Sequence, residues 1–150
     1  MSAEPAAKDK ACLICARDSL DGAYPPLILA IQAARAGMEA KIFFTFMGLN
    51  LLRPGGLDQA KFFPPGFMGA IPGMPHLATM MMKKKIDQAQ IPSLAELLEM
   101  AQCEGVGLVG CLMTLMMMEW KKEDLIDGVD IWTAEDFIAY ARDAKMCLYI

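Results

Sequence analysis

The sequence predicts an α/β fold: a single three-layer α/β/α domain built on a mostly parallel five-stranded sheet. Three observations carry that expectation. Short runs of apolar, branched and aromatic residues alternate with longer stretches of helical spacing, which is the pattern of βαβ units. The segment joining the first two runs is too long for a hairpin, so the strands it connects should lie parallel, with the right-handed crossover found in about 98% of such units. The chain's 150 residues suit one domain, and a domain of this length buries roughly 70% of the surface its unfolded chain exposes.

Residues 1–10 mix charges and are read as a flexible N-terminus, with residues 11–150 as the domain. Ala11-Cys-Leu-Ile-Cys-Ala16 is almost wholly apolar between charges, as expected of a strand covered on both faces. Turn residues follow from Asp18 to Gly22, and a buried helix is expected from Ala23 to Ala36, with Pro25 and Pro26 in its first turn and Gly37 ending it. Lys41-Ile-Phe-Phe-Thr-Phe46 reads as the second strand. The stretch 53–75 is rich in proline and glycine yet apolar, so it reads as an ordered loop packed on something, of the kind that forms lids or binding segments.

A helix is expected from His76 to Ile86, ending in Lys83, Lys84 and Lys85, cations that suit a helix C-terminus. Ser93-Leu-Ala-Glu96 is a capping box opening a helix to about Glu104, with Leu94, Leu97, Leu98 and Ala101 on one face. Val106 to Gly110 is a third buried strand that delivers Cys111 at its carboxyl end. A short helix at 122–126, a strand from Val129 to Trp132, a capped helix from Thr133 to about Lys145 and a closing strand from Met146 to Ile150 complete the reading.

Composition narrows function. The net charge is −4 and the pI is near 4.9, so nucleic acid is not an expected partner. The uncharged run from Gly105 to Met118 falls short of the ~20 residues a spanning helix needs, and the N-terminus lacks the basic-then-apolar layout of a signal peptide. Cytoplasmic residence is the expectation. Hydrophobic residues make up 55% of the chain and the mean hydropathy is +0.33, above the soluble norm; either subunits cover apolar surface or some of it is exposed.

The five cysteines are an odd number and in a reducing compartment read as thiols. In an open α/β sheet, reactive groups collect beyond the carboxyl ends of the strands, where Cys111 is expected. The run Leu112 to Met118 can begin a helix there, whose free amides favour a thiolate at its start. The competing reading is a packed thiol, since free cysteine behaves as a small hydrophobe.

Cys12 and Cys15 form a Cys-x-x-Cys, but within a strand such positions face opposite sides, so neither a redox pair nor a zinc knuckle is expected of them. Cys15, near its strand's end, is a weak candidate for a thiol resolving Cys111, whereas Cys103 and Cys147 read as packing residues. His76 is the sole histidine, which limits acid–base schemes and multi-histidine metal sites. No phosphate-cradling glycine pattern is present, so no cofactor is expected. Methionines cluster within 68–82 and 113–118; they read first as adaptable packing at an oligomer or partner surface, and second as soft ligands for Cu(I).

Four separated blocks carry a resemblance: Leu20-Asp-Gly-Ala-Tyr-Pro-Pro-Leu-Ile-Leu29, Phe43-Phe-Thr-Phe-Met-Gly-Leu-Asn50, Met80-Met-Met-Lys-Lys84 and Lys121-Lys-Glu-Asp-Leu-Ile-Asp-Gly128. Together they resemble, over nearly the whole chain after residue 10, the DsrE/DsrF-like sulfur carriers, in the branch sometimes labelled peroxiredoxin-like. The resemblance implies a three-layer α/β/α fold of flavodoxin-like architecture, a homo-oligomer, and a cysteine after the third strand that carries sulfane sulfur as a persulfide. The matching block is Gly107-Leu-Val-Gly-Cys-Leu-Met-Thr114, so that role falls on Cys111. Where the family pattern continues with a polar residue, an Asp and a Met-Gly pair, this chain has Leu112, Met116 and Met118-Glu119, which makes the cysteine's surroundings more apolar.

The partners this implies are sulfur donor and acceptor proteins, rhodanese-like or TusA-like, in sulfurtransferase-type exchange. An apolar mouth formed by the 53–75 loop and the methionines is expected to shield the persulfide. Two readings from other classes stand beside it: a non-catalytic scaffold whose Met-rich patch binds partners or associates peripherally with a membrane face, and a Cu(I)-binding protein.

Overall fold

A computed structural model describes residues 6–150. The expected flexible N-terminus therefore lies outside the described residues for its first five positions; Asp9 is already tied down, its carbonyl accepting the Glu39 N–H at 2.8 Å. Five strands, β1 (Lys10–Cys15), β2 (Glu39–Phe44), β3 (Gly107–Cys111), β4 (Val129–Trp132) and β5 (Ala144–Tyr149), form one sheet in the order β4-β3-β2-β1-β5. Every pairing is parallel, so the sheet is wholly parallel where a mostly parallel one was expected.

Helices cover both faces, as crossovers between parallel strands require. On one side α1 (Leu20–Arg35) lies against β1 and β2, with α3 (Leu94–Cys103) packed beside it. The strand residues facing them are Ala11, Leu13 and Cys15, then Ile42 and Phe44, then Leu108. The alternate residues, Cys12, Phe43, Val109 and Cys111, form a second cluster with Phe137 and Tyr140 of α5 (Ala134–Ala141) on the other face. Strand pleating thus places Cys12 and Cys15 on opposite faces, as the spacing predicts. The second face has thin cover, one helix of 8 residues, and Ile138 and Tyr149 stay exposed there.

Several boundaries differ from those read in the sequence. Helix α1 starts at Leu20 and holds Pro25 and Pro26 beyond its first turn. Pro26 has no N–H to give the Gly22 carbonyl, and the Cys15 thiol faces that carbonyl at 3.8 Å instead. Strand β2 stops at Phe44 because Phe46 takes a left-handed φ of 48°, and a 3-10 turn occupies Phe46–Leu52. Helix α2 (Met74–Gln88) runs longer than expected at both ends but buries only Thr79. Helix α5 ends at Ala141, since from Ala144 the chain pairs with β1 and the parallel ladder outweighs continued helix. Both capping boxes form, Ser93 with Glu96 and Thr133 with Asp136.

The stretch 53–75 is irregular, as expected, with short 3-10 turns at Leu57–Gln59 and Gly66–Ala70. It is anchored by the Leu20 N–H to the Lys61 carbonyl at 2.8 Å and by the Phe62 N–H to the Thr79 hydroxyl at 2.8 Å. Among the described residues no helix is long and apolar enough to cross a membrane.

Candidate functional site

Cys111 is the last residue of β3 and the residue preceding α4 (Leu112–Met117). The chain passes from strand to helix without a loop, so the thiol stands at the carboxyl edge of the sheet, where the βα junction leaves backbone amides unpaired. It is 7% exposed. Burial alone would push this thiol up. It is outweighed by the N–H and hydroxyl of Thr114, the hydroxyl of Thr45 and the N–H of Met113, and the net shift is downward. No full cap hydrogen bond forms to the neutral sulfur; these donors favour the anion, by local dipoles more than by a macrodipole in so short a helix.

The hydroxyl pair is positioned by packing between elements distant in sequence. Thr114, 2% exposed, accepts the Phe46 N–H at 2.9 Å and lies 3.3 Å from the Thr45 hydroxyl. Its oxygen therefore ties the carboxyl end of β2 to the first turn of α4, and its own proton stays free to turn toward sulfur. Sequence reading missed both threonines. The available signals were the i, i+3 spacing of Cys111 and Thr114, which matches a cap, and Thr45 as the lone polar residue closing an aromatic strand.

Around this centre the surface is apolar. Leu112 and Met113 follow the cysteine in sequence, Phe46 and Met47 follow Thr45, and all four are exposed, as are Met116 and Met117. Phe46, whose N–H bonds Thr114, and Met47 thus stand with α4 as the exposed apolar surface beside the cysteine. The 53–75 stretch is bonded to α1 and α2 through Lys61 and Phe62, and its first residue, Arg53, lies over the Trp120 ring just after α4, 4.5 Å from the centroid. The 68–82 methionines lie on α2 except Met68, with Met80 and Met81 exposed. Among the described residues no group of three or more His, Cys, Asp or Glu is placed to hold a metal ion. His76 is exposed in the first turn of α2.

The structure does not bring Cys15 to Cys111. Cys15 pairs with Phe44, and Phe44 with Gly110, so Cys15 lies two strands from β3, about 10 Å at ordinary strand spacing. It also faces the opposite side of the sheet, fully buried. A direct disulfide needs Cα atoms within about 7 Å. Burial pushes the Cys15 thiol up to about 11, opposed by a hydrogen bond from the Arg17 backbone and reinforced by Asp18.

That value predicts an alkaline weakness. A thiol whose folded pKa is raised supports the fold fully below its unfolded value, about 8.5, and loses that contribution as pH rises toward the folded one. Stability should fall by roughly 2–3 kcal/mol on this account between about pH 8.5 and 11. In chemical denaturation across that range, Cys15→Ala should show a shallower decline than wild type; an unchanged slope would remove Cys15 as the cause. Cys103 and Cys147, expected to pack, are exposed, because α3 turns Cys103 outward and β5 is an edge strand.

Comparison with known proteins follows the same outline. A model of the DsrE/DsrF/DrsH-like family matches residues 7–149. The sulfur carrier protein DsrE2 of Allochromatium vinosum is 38% identical, over 94% of this chain and 98% of that one. The uncharacterized protein YrkE of Bacillus subtilis is 30% identical, over 87% and 89%. The crystal structure of the ychN protein from E. coli superposes with a TM-score of 0.57 at 14% identity, over 94% of this chain and 99% of that one, a likeness of fold.

Proposed function

The chain belongs to the DsrE/DsrF/DrsH-like family, and from that premise we propose that it is a sulfur carrier, holding sulfane sulfur as a persulfide on Cys111 and passing it to an acceptor thiol. The observation that carries this reading is the lowered Cys111 thiol at the carboxyl end of β3, faced by Thr45 and Thr114.

The chemistry needs little else. The Cys111 thiolate attacks the outer sulfur of a donor persulfide, forming the new S–S bond and expelling the donor's sulfur as thiolate, which takes up a proton. The acceptor thiolate later attacks the same outer sulfur and Cys111 leaves, a step eased by its lowered pKa. One exposed histidine is no handicap in such an exchange. The hydroxyls that favour the thiolate also stabilise it as leaving group, and the apolar rim of Phe46, Met47, Leu112 and Met113 keeps water from the loaded sulfur and offers a docking surface to donor and acceptor proteins, rhodanese-like or TusA-like. The thin cover over the α5 face suits a homo-oligomer, and five free thiols suit a reducing cytoplasm.

Incubation with polysulfide, or with thiosulfate and a rhodanese, should raise the intact mass by about one sulfur, reversibly by reductant, with the adduct on the peptide holding Cys111. An adduct confined to other cysteines would overturn the assignment.

A further inference from the structure

We propose that Cys12 and Cys147 form a second thiol site, in which the exposed Cys147 reacts with small disulfides and the buried Cys12 closes onto it, stapling the edge strand β5 to β1. The site is independent of the sulfur-carrier reading and of Cys111.

Strand register carries the argument. Cys12 and Cys147 are direct partners in the parallel β1–β5 ladder, and partners in a parallel ladder project their side chains to the same face. Neighbouring strands are about 4.8 Å apart, inside the 4.4–6.8 Å Cα separation that disulfides span. Cys12 is wholly buried and its thiol donates to the Met146 carbonyl at 3.5 Å, which aims it at β5. Cys147 is exposed. One sulfur is open to reagents in solution, and the other stands behind it, out of their reach. The small adjustment a disulfide demands is available too, because β5 pairs on one side only and its ladder with β1 already slips a residue between Lys10 and Ala11.

Cys111 cannot substitute for either partner. Cys12 is level with Lys41 and hence with Gly107, so Cys111 lies four residues further along a strand two removed, about 13 Å away along the strand direction alone.

The reaction balances with a small disulfide as oxidant. The Cys147 thiolate attacks one sulfur of the reagent, forming a mixed disulfide and expelling one thiolate, which takes up the proton Cys147 lost. Cys12 then attacks the Cys147 sulfur, forming the protein disulfide and expelling the second thiolate, which takes up the proton Cys12 lost. Two protein thiols are oxidised and one small disulfide is reduced to two thiols. Reopening requires an external thiolate to attack Cys147 and expel Cys12. Burial, with Cys147 alongside, pushes Cys12 up to about 12, which makes it a poor leaving group and the closed form slow to reduce.

The test uses the full chain with Cys103→Ser and Cys111→Ser, which removes the other exposed thiol and the carrier thiol, and oxidised glutathione as probe. The expected product is about 2 Da lighter than the reduced protein, retains no glutathione, yields one crosslinked peptide pair holding Cys12 and Cys147, and melts roughly 5–10 °C higher. Adding Cys12→Ala should leave one glutathione trapped on Cys147, and adding Cys147→Ala should abolish both products. A lasting glutathione adduct with Cys12 present, or a crosslink through Cys15, would overturn the proposal. Loss of sulfur loading at Cys111 bears on neither outcome.

Discussion

Cys111→Ser is expected to abolish sulfur loading on the peptide holding residue 111 after exposure to polysulfide at any pH between about 6 and 9, whatever the exposed Cys103 and Cys147 take up. Serine keeps the shape of the side chain, but its hydroxyl does not ionise in that range and forms no persulfide. Among the buried cysteines the same variant should lose the thiol that alkylates most readily, since Cys12 and Cys15 are pushed up to about 12 and 11. The quantitative partner is Thr45→Val, which deletes one hydroxyl facing the sulfur at little packing cost, Thr45 being half-buried. Because the hydroxyl favours the thiolate, its removal must move the alkylation inflection upward. Reaction at neutral pH should slow severalfold while the plateau at high pH stays unchanged. If Thr45→Val leaves the pH profile where it was, the hydroxyl does not act on the thiol.

Gly48→Ala should cost the fold at least about 3 kcal/mol, read as a lowered urea midpoint with an unchanged slope. Gly48 lies across the end of β1. A Cβ there would come 2.2 Å from the Cys15 carbonyl oxygen and 2.8 Å from its carbon, both backbone atoms of a central strand that cannot rotate aside. The Cys15 carbonyl also accepts the Thr45 N–H at 3.0 Å, so displacing Gly48 also disturbs the residue whose hydroxyl faces Cys111. Stability and thiol reactivity should therefore fall together in this variant, in contrast to Thr45→Val, where reactivity alone moves. A Gly48→Ala midpoint within experimental error of wild type would mean that this close approach does not exist in solution.

Much of the architecture was legible in the residues because it rests on short-range rules. Apolar runs such as Ala11 to Ala16 mark strands, Ser93-Leu-Ala-Glu96 and Thr133-Ala-Glu-Asp136 mark helix starts, and period-two alternation sends Cys12 and Cys15 to opposite faces. The placement of Cys111 at the end of β3 follows from the same rules. Boundaries were read less well where long-range partners intervene, as when pairing with β1 draws Ala144 into β5.

The thiol's environment could not be read this way. Thr45 and Thr114 are 69 residues apart, and nothing local to either announces that they meet at one sulfur. Composition alone suggests the 53–75 stretch as apolar cover; only the fold shows that it is anchored at Leu20 and Thr79 with Arg53 over Trp120, and that the exposed Phe46 and Met47 follow Thr45. Likewise Cys147 reads as a packing residue until the sheet order puts β5 at an edge beside Cys12. The sequence by itself determined the strand and helix alphabet, the α/β class and the position of Cys111 at the end of β3, since periodicity and capping act within a few residues. Only the tertiary structure decided which donors face that cysteine, which thiols are neighbours and which surface stays open, because those depend on strand order and register, set by the burial of all the elements together.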